Sequence, residues 1–222
     1  MTVAAKDIIW AAQDQLKDLA GDRWPAKELV QHLNDGQRDI VALRPDTVAA
    51  TVELALVPGP KQRVPDDCSR LIDIPRNTGG RALRQVARKL LDAADPGWYT
   101  RQGTKALQHF MLDPREPRVF WVYPPAIAGA SVDVDYAPLP QDVAEPGGPA
   151  WSAVAGDIRL PDDMKNALLH FVLFRAYGKD AEVGNADLAA AHFKLYRSCL
   201  GDDAAARQAA KPKVGTDPSA AG

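Results

Sequence analysis

Near the C-terminus, two stretches of helical periodicity meet across a turn of a few residues, and this pairing limits the possible folds more than any other feature. The first runs from Leu160-Pro-Asp-Asp-Met to Arg175-Ala-Tyr. Met164, Leu168, Leu169, Val172, Leu173 and Ala176 lie on one stripe of it, the spacing of a helix with one buried face. Pro161 opens this helix. Asp162 and Asp163 follow in its first turn, where the helix dipole favours negative charge. After Gly178-Lys-Asp-Ala-Glu-Val-Gly, Asn185 suits an N-cap. Leu188, Ala191, His192, Leu195, Tyr196 and Cys199 are then the expected inner face of the second helix. Helices joined so closely fold back antiparallel.

The N-terminus repeats the arrangement. Ile8, Ile9, Ala12, Leu16 and Leu19 give one stripe, ended by Gly21. Trp24-Pro25 starts a second helix, because proline tolerates the first turn. Leu29, Val30, Leu33, Gln37, Ile40 and Val41 continue it until Pro45, whose preceding residue disfavours helix.

The middle of the chain reads differently. Thr51-Val-Glu-Leu-Ala-Leu-Val alternates in part, and Pro58-Gly-Pro breaks it. The stretch from Asp66 to Pro75 predicts a turn and a short strand. Arg81-Ala-Leu-Arg-Gln-Val suits a strand, and residues 87–94 a short helix. Leu107-Gln-His-Phe-Met-Leu-Asp and Arg118-Val-Phe-Trp-Val-Tyr flank Pro114-Arg-Glu-Pro, the clearest hairpin in the chain. Ser131-Val-Asp-Val-Asp-Tyr alternates strictly. Val132, Val134 and Tyr136 should share a face, as a third strand of the same sheet. Residues 138–156 read as a loop.

The expected fold is therefore α+β, mainly an antiparallel four-helix bundle core built from residues 1–48 and 158–200. Residues 49–157 form a β-rich insertion between its second and third helices. Residues 201–222 are alanine-rich and polar. Such a segment cannot by itself bury enough surface to offset its ordering entropy. It is expected to be a C-terminal docking arm.

Charge separates along the chain. Residues 58–90 hold eight basic and three acidic side chains, whereas residues 131–163 hold seven acidic and one basic. Opposite patches suit head-to-tail contacts between identical subunits. Ordinary solvated faces account for them too. The net charge of −2 gives no global excess for nucleic-acid binding.

Chemistry-bearing patterns are sparse. Cys68 and Cys199 are far apart and lack metal spacing. His170 and His192 fall on facing helices and could be neighbours, but no further ligand is placed beside them. Asp133 and Asp135 resemble an acidic pair, and they read more simply as the polar face of a strand. No phosphate-binding loop, nucleophile elbow or dinucleotide fingerprint occurs. No catalytic residue, cofactor or metal site is expected. A start without a basic, apolar leader and the lack of a long apolar run predict a chain made and kept in a cytoplasm-like compartment, with no membrane partner.

Two stretches are familiar. Trp24-Pro-Ala-Lys-Glu-Leu-Val-Gln-His-Leu-Asn-Asp-Gly-Gln-Arg-Asp-Ile resembles the second helix of the head-to-tail adaptor proteins of short-tailed phages. Leu160-Pro-Asp-Asp-Met, then Leu168-Leu-His-Phe-Val-Leu-Phe-Arg-Ala-Tyr-Gly-Lys-Asp, Gly184-Asn and Ala191-His-Phe resemble that family's C-terminal hairpin. The resemblance covers about half the chain well and the insertion in outline. It implies a non-enzymatic virion protein at the head–tail junction, assembled in the host cytoplasm. It also implies a homo-oligomeric ring of about twelve copies beneath the portal protein, where unlike faces of identical subunits meet. An arm would reach onto the portal, and the lower face would receive the tail nozzle or hub. The channel would continue the DNA path, with non-specific contact to DNA.

Candidate partner-binding residues are Arg207, Lys211 and Lys213 in the arm and Arg81, Arg84 and Arg88 in the basic stretch. Plain solubility also accounts for each of these charges. The alternative function is a helical nucleic-acid-binding regulator, which requires a basic recognition helix. A small hydrolase would require a nucleophile–base pair.

Overall fold

The computed structural model describes residues 3–179 and 185–201. Among them the chain forms five α-helices and seven strands in two sheets. This overturns the expected fold of mainly a four-helix bundle. The sheets are an architectural half with their own core rather than an appendage.

Helix α1 (Ala5–Gln15) buries Ile8, Ile9 and Ala12, and α2 (Ala26–Leu43) buries Leu29, Val30, Leu33, Ile40 and Val41. Between them the Asp18 carboxylate accepts the N–H groups of Asp22, Arg23 and Trp24 at 2.7–3.0 Å. Burial pushes the pKa of Asp18 up, but these N–H groups outweigh it and hold the group below the usual carboxylate value. Gly21 has φ +75°, and a Cβ there would stand 2.1 Å from the Pro149 carbonyl oxygen.

Strand β1 (Ala50–Ala55) leads into the sheets. It is followed by β2 (Gly59–Arg63), β3 (Cys68–Asn77), β4 (Arg84–Gln85), a short helix α3 (Arg88–Ala94), β5 (His109–Leu112), β6 (Val119–Ala126) and β7 (Ser131–Pro138). One sheet has the order β1-β7-β3, all antiparallel. The other has the order β2-β6-β5-β4, with only β4 running parallel to its neighbour. Their inner faces meet over Ile74, Val132 and Val134 from one side and Phe110, Phe120 and Val122 from the other. The β5–β6 hairpin forms as expected, and Val132, Val134 and Tyr136 share the buried face. However, β7 is not a third strand beside that hairpin. It is the centre of the opposite sheet. Pro58-Gly-Pro, read as a break, leads directly into β2.

The chain returns through residues 139–161 to α4 (Lys165–Gly178) and α5 (Asn185–Cys199). Helix α4 is the centre of the helical layer. It packs against α1, α2 and α5 and buries Ala167, Leu168, Phe171, Val172, Leu173 and Ala176. At Gly36 of α2 a Cβ would meet Phe171 Cδ1 at 2.8 Å, so this glycine sets how closely the two helices approach.

Helix α5 differs from expectation. Ala189 and Tyr196 are its buried residues, whereas Leu188 and Leu195 are 44% and 46% exposed and Cys199 is exposed. The apolar arc of this helix is wider than α4 alone can cover.

Candidate assembly surface

Three buried amide side chains join the helical layer to the returning chain. Gln13 Nε2 donates to the carbonyls of Trp24 (3.0 Å) and Pro149 (3.1 Å), and its Oε1 accepts the Trp151 N–H at 2.8 Å. Asn34 grips Val143 at both backbone groups, at 3.0 and 2.9 Å. Gln37 accepts the Arg159 N–H at 3.0 Å. Ion pairs reinforce the same seam, Lys27–Glu145 and Arg38–Asp142, both at 2.6 Å. Two acidic residues of the returning chain are thus neutralised within the subunit.

The same holds where β7 meets β3. Arg76 Nε lies 2.5 Å from Asp133, and Thr78 donates to that carboxylate at 2.9 Å. Arg76 first and Thr78 second hold Asp133 below the usual carboxylate value. Asp135 accepts from Thr51 at 2.6 Å. The acidic pair is therefore a structural part of the central strand. Of the acidic residues in this stretch, Asp157, Asp162 and Asp163 are exposed, with no ion-pair partner among the described residues.

The sequence-predicted basic residues fall into three situations. Arg81 and Arg84 are exposed near the β4 edge, with no ion-pair partner among the described residues. Arg88 is turned inward. It lies near Asp92 (3.9 Å) and Asp113 (4.0 Å), with its guanidinium 5.6 Å from the Trp121 ring. Arg207, Lys211 and Lys213 lie outside the described residues, as does the rest of the arm beyond Gly201.

Sequence reasoning missed the plate on which Arg88 rests. Trp98 is fully buried, stacks on Tyr99 at 3.9 Å and meets Trp121 edge to face at 6.2 Å. Its Nε1 donates to Asp92 at 2.8 Å. Lys61 completes the cluster, 5.5 Å from the Trp121 ring. The cations here are held by aromatic faces and carboxylates, so the plate fixes α3 against the second sheet.

The remaining chemistry is modest. His170 and His192 do meet, Nδ1 to Nδ1 at 3.1 Å, and Tyr177 stacks on His192. Burial holds both rings below the usual histidine value, with His170 lowering His192 further. At neutral pH one neutral ring donates to the other. Tyr196 donates to Asp39, and burial followed by that bond pushes its hydroxyl well above the ordinary tyrosine value. The Cys68 thiol is buried and raised by that burial. No group of three potential metal ligands occurs among the described residues. An open groove of about 630 Å³ runs along Val48, Leu139, Ile158 and Pro161, and Asp67 and Arg159 are its titratable groups. Proline and aliphatic residues share its walls with Thr47 and Gln141.

Exposed large apolar side chains complete the surface. On the β half they are scattered singly, as Val57, Ile72, Leu90, Tyr99 and Ile127. On the helical layer Leu188 and Leu195 share one face of α5, 44% and 46% exposed, Phe193 stands on a different face beside Phe174, and Trp10 and Leu19 lie on the α1 side, 47% and 46% exposed. Single exposed residues are ordinary, whereas concentrated ones mark contact surfaces. No described helix is long and apolar enough to cross a membrane.

A comparison with curated proteins finds none that matches the chain. The model of the SU10 adaptor protein family matches residues 3–216, the helical layer and both sheets included. The chain belongs to the SU10 adaptor protein family, and is thereby a structural head–tail adaptor of a bacteriophage and a component of its virion.

Proposed function

We propose that copies of this chain assemble into a ring between the portal protein and the tail, completing the head and continuing the DNA channel. The observation that carries this reading is the exposure of large apolar side chains on both flanks of the helical layer, Trp10 and Leu19 on one and Leu188 and Leu195 on the other. A solitary soluble subunit has no use for two such flanks, and a subunit with a neighbour on each side covers both. In this reading the helical layer (residues 1–48 and 158–200) supplies lateral contacts and residues 49–157 form the insertion. Residues 201–222 dock on the portal through Arg207, Lys211 and Lys213. Arg81 and Arg84 offer charge to a partner surface or to DNA in the channel, and the opposite end of the ring receives the tail nozzle or hub. The expected copy number is about twelve, a closed cyclic arrangement.

Mixing the full chain with the portal protein of the same phage, followed by particle imaging, tests the reading. A ring seated on the portal is expected, and a chain ending at Gly201 should keep its circular dichroism but lose the complex. A full chain that stays monomeric beside the portal overturns it.

A further inference from the structure

A head-to-tail ring joins two unlike patches on each copy, and the flanks of this helical layer are unlike. Helices α1 and α5 both pack on α4. On α5, Leu188, Ala191, His192 and Leu195 occupy positions i, i+3, i+4 and i+7. Four residues at that spacing outline a hole on a helix surface, into which a side chain of a facing helix inserts. Ala191 is exposed and carries only a methyl group, so the floor of this hole is low between the two exposed leucines. His192 forms a fixed wall, held by His170 at 3.1 Å and by the Tyr177 ring.

The other flank carries a side chain to fill the hole. Trp10 stands on α1, 47% exposed. Tryptophan seated in a pocket is the residue type that most often dominates an interface. Charge sets the register. Lys6 and Asp187 are both exposed, and neither has an ion-pair partner among the described residues. Lys6 lies four residues before Trp10, and Asp187 lies four residues before Ala191. If α1 runs parallel to α5 with Lys6 beside Asp187, the indole therefore arrives at the hole.

We propose that adjacent copies meet through this pair of faces: α1 of one copy lies parallel to α5 of the next, with Trp10 seated among Leu188, Ala191, His192 and Leu195 and with Lys6 paired to Asp187. The contact rests on the ring reading above and names the surfaces that close it. It also accounts for α5 having a wider apolar arc than α4 covers.

The test is ring assembly of the full chain on the portal protein, followed by sedimentation against concentration. Trp10→Ala, which empties the hole, and Ala191→Trp, which fills it, should each raise the midpoint concentration by about thirtyfold or more, the loss of one central anchor. Both positions are exposed, so unchanged circular dichroism of each subunit separates lost assembly from lost folding. Lys6→Asp should cost about threefold, the scale of an exposed ion pair, and Asp187→Lys in the same chain should restore it.

A Leu19→Cys variant treated with a short bis-maleimide should yield a ladder of joined subunits through the exposed native Cys199, while buried Cys68 stays silent. Rings that assemble equally well with Trp10→Ala and Ala191→Trp overturn the contact and leave the ring standing. A wild-type chain that forms no ring overturns both.

Discussion

The helical layer and the paired sheets each bury three polar side chains among the described residues, Gln13, Asn34 and Gln37 in the one and Gln62, Asn77 and Asp133 in the other, but they differ in what they leave outside. The helical layer is joined through buried polar groups, Gln13, Asn34 and Gln37, and leaves apolar side chains outside on α1 and α5. The sheets bury Phe110, Phe120, Val122, Val132 and Val134 and leave in solvent arginines such as Arg81 and Arg84, which have no ion-pair partner among the described residues. The sheet half closes its own apolar core, and the helical half does not finish covering its apolar surface. That difference is the reason the lateral contacts of the proposed ring are assigned to the helices.

The largest expected effects come from breaking each core separately. Phe120→Ala removes a fully buried ring between the sheets and should cost about 3–5 kcal/mol, and Leu168→Ala in α4 should cost about 2–5 kcal/mol. Urea unfolding separates the two halves by probe. Phe120→Ala should shift the near-ultraviolet signal of the Trp98–Trp121 plate, and Leu168→Ala the helical signal. Cores of equal standing predict shifts of similar size, and a negligible shift for Phe120→Ala would mean that the sheets have no core of their own.

A smaller effect probes the joining of the helical layer. Gln13→Leu keeps the volume but leaves the Trp24 and Pro149 carbonyls and the Trp151 N–H without this partner. The expected loss is about 1–3 kcal/mol, the cost of stranding buried polar groups. Thermal unfolding of the variant measures it, and an unchanged melting temperature would show that water replaces the amide.

The smallest effect is one of pH. Folding lowers the pKa of His170 and His192 below the ordinary histidine value of about 6.5. The unfolded chain therefore takes up protons first as pH falls. Stability from this pair is complete above the unfolded value and declines as pH drops through the folded values. The urea midpoint of the helical signal should fall between pH 7 and pH 5. A double His170→Gln, His192→Gln variant should fall less, and equal slopes would remove the pair from the account.

Much of the helical half was legible because helices declare themselves locally. Ile8, Leu29, Leu33, Leu168 and Val172 repeat at helical spacing and are buried. The β5–β6 hairpin and the shared face of Val132, Val134 and Tyr136 were legible for the same reason, since alternation and a short turn are local signals. Which sheet β7 joins depends on partners more than fifty residues away, β1 and β3, and nothing local carries that choice. The irregular register of β3 against β7 erases the alternation that would have revealed a ten-residue strand.

Of the candidate residues, Arg81 and Arg84 are exposed, whereas Arg88 is held by Trp121 and two carboxylates. Composition along the chain cannot show that a charge is already answered across the fold. The same blindness hid the pairing of the acidic loop with Lys27 and Arg38. Gln13 and Asn34 left a trace that could have been followed, as amides at positions where the periodicity calls for apolar residues.

The central position of α4 has a consequence for synthesis. The helix around which the layer is organised begins only at Lys165, after both sheets have been translated. Helices α1 and α2 leave the ribosome first, yet Ile8, Leu33 and Gly36 wait for more than a hundred residues before the surface they fit exists. An amino-terminal fragment that stops short of that helix holds a closable sheet core and an orphaned helical pair. The order in which the polypeptide is made is therefore not the order in which its halves can finish folding.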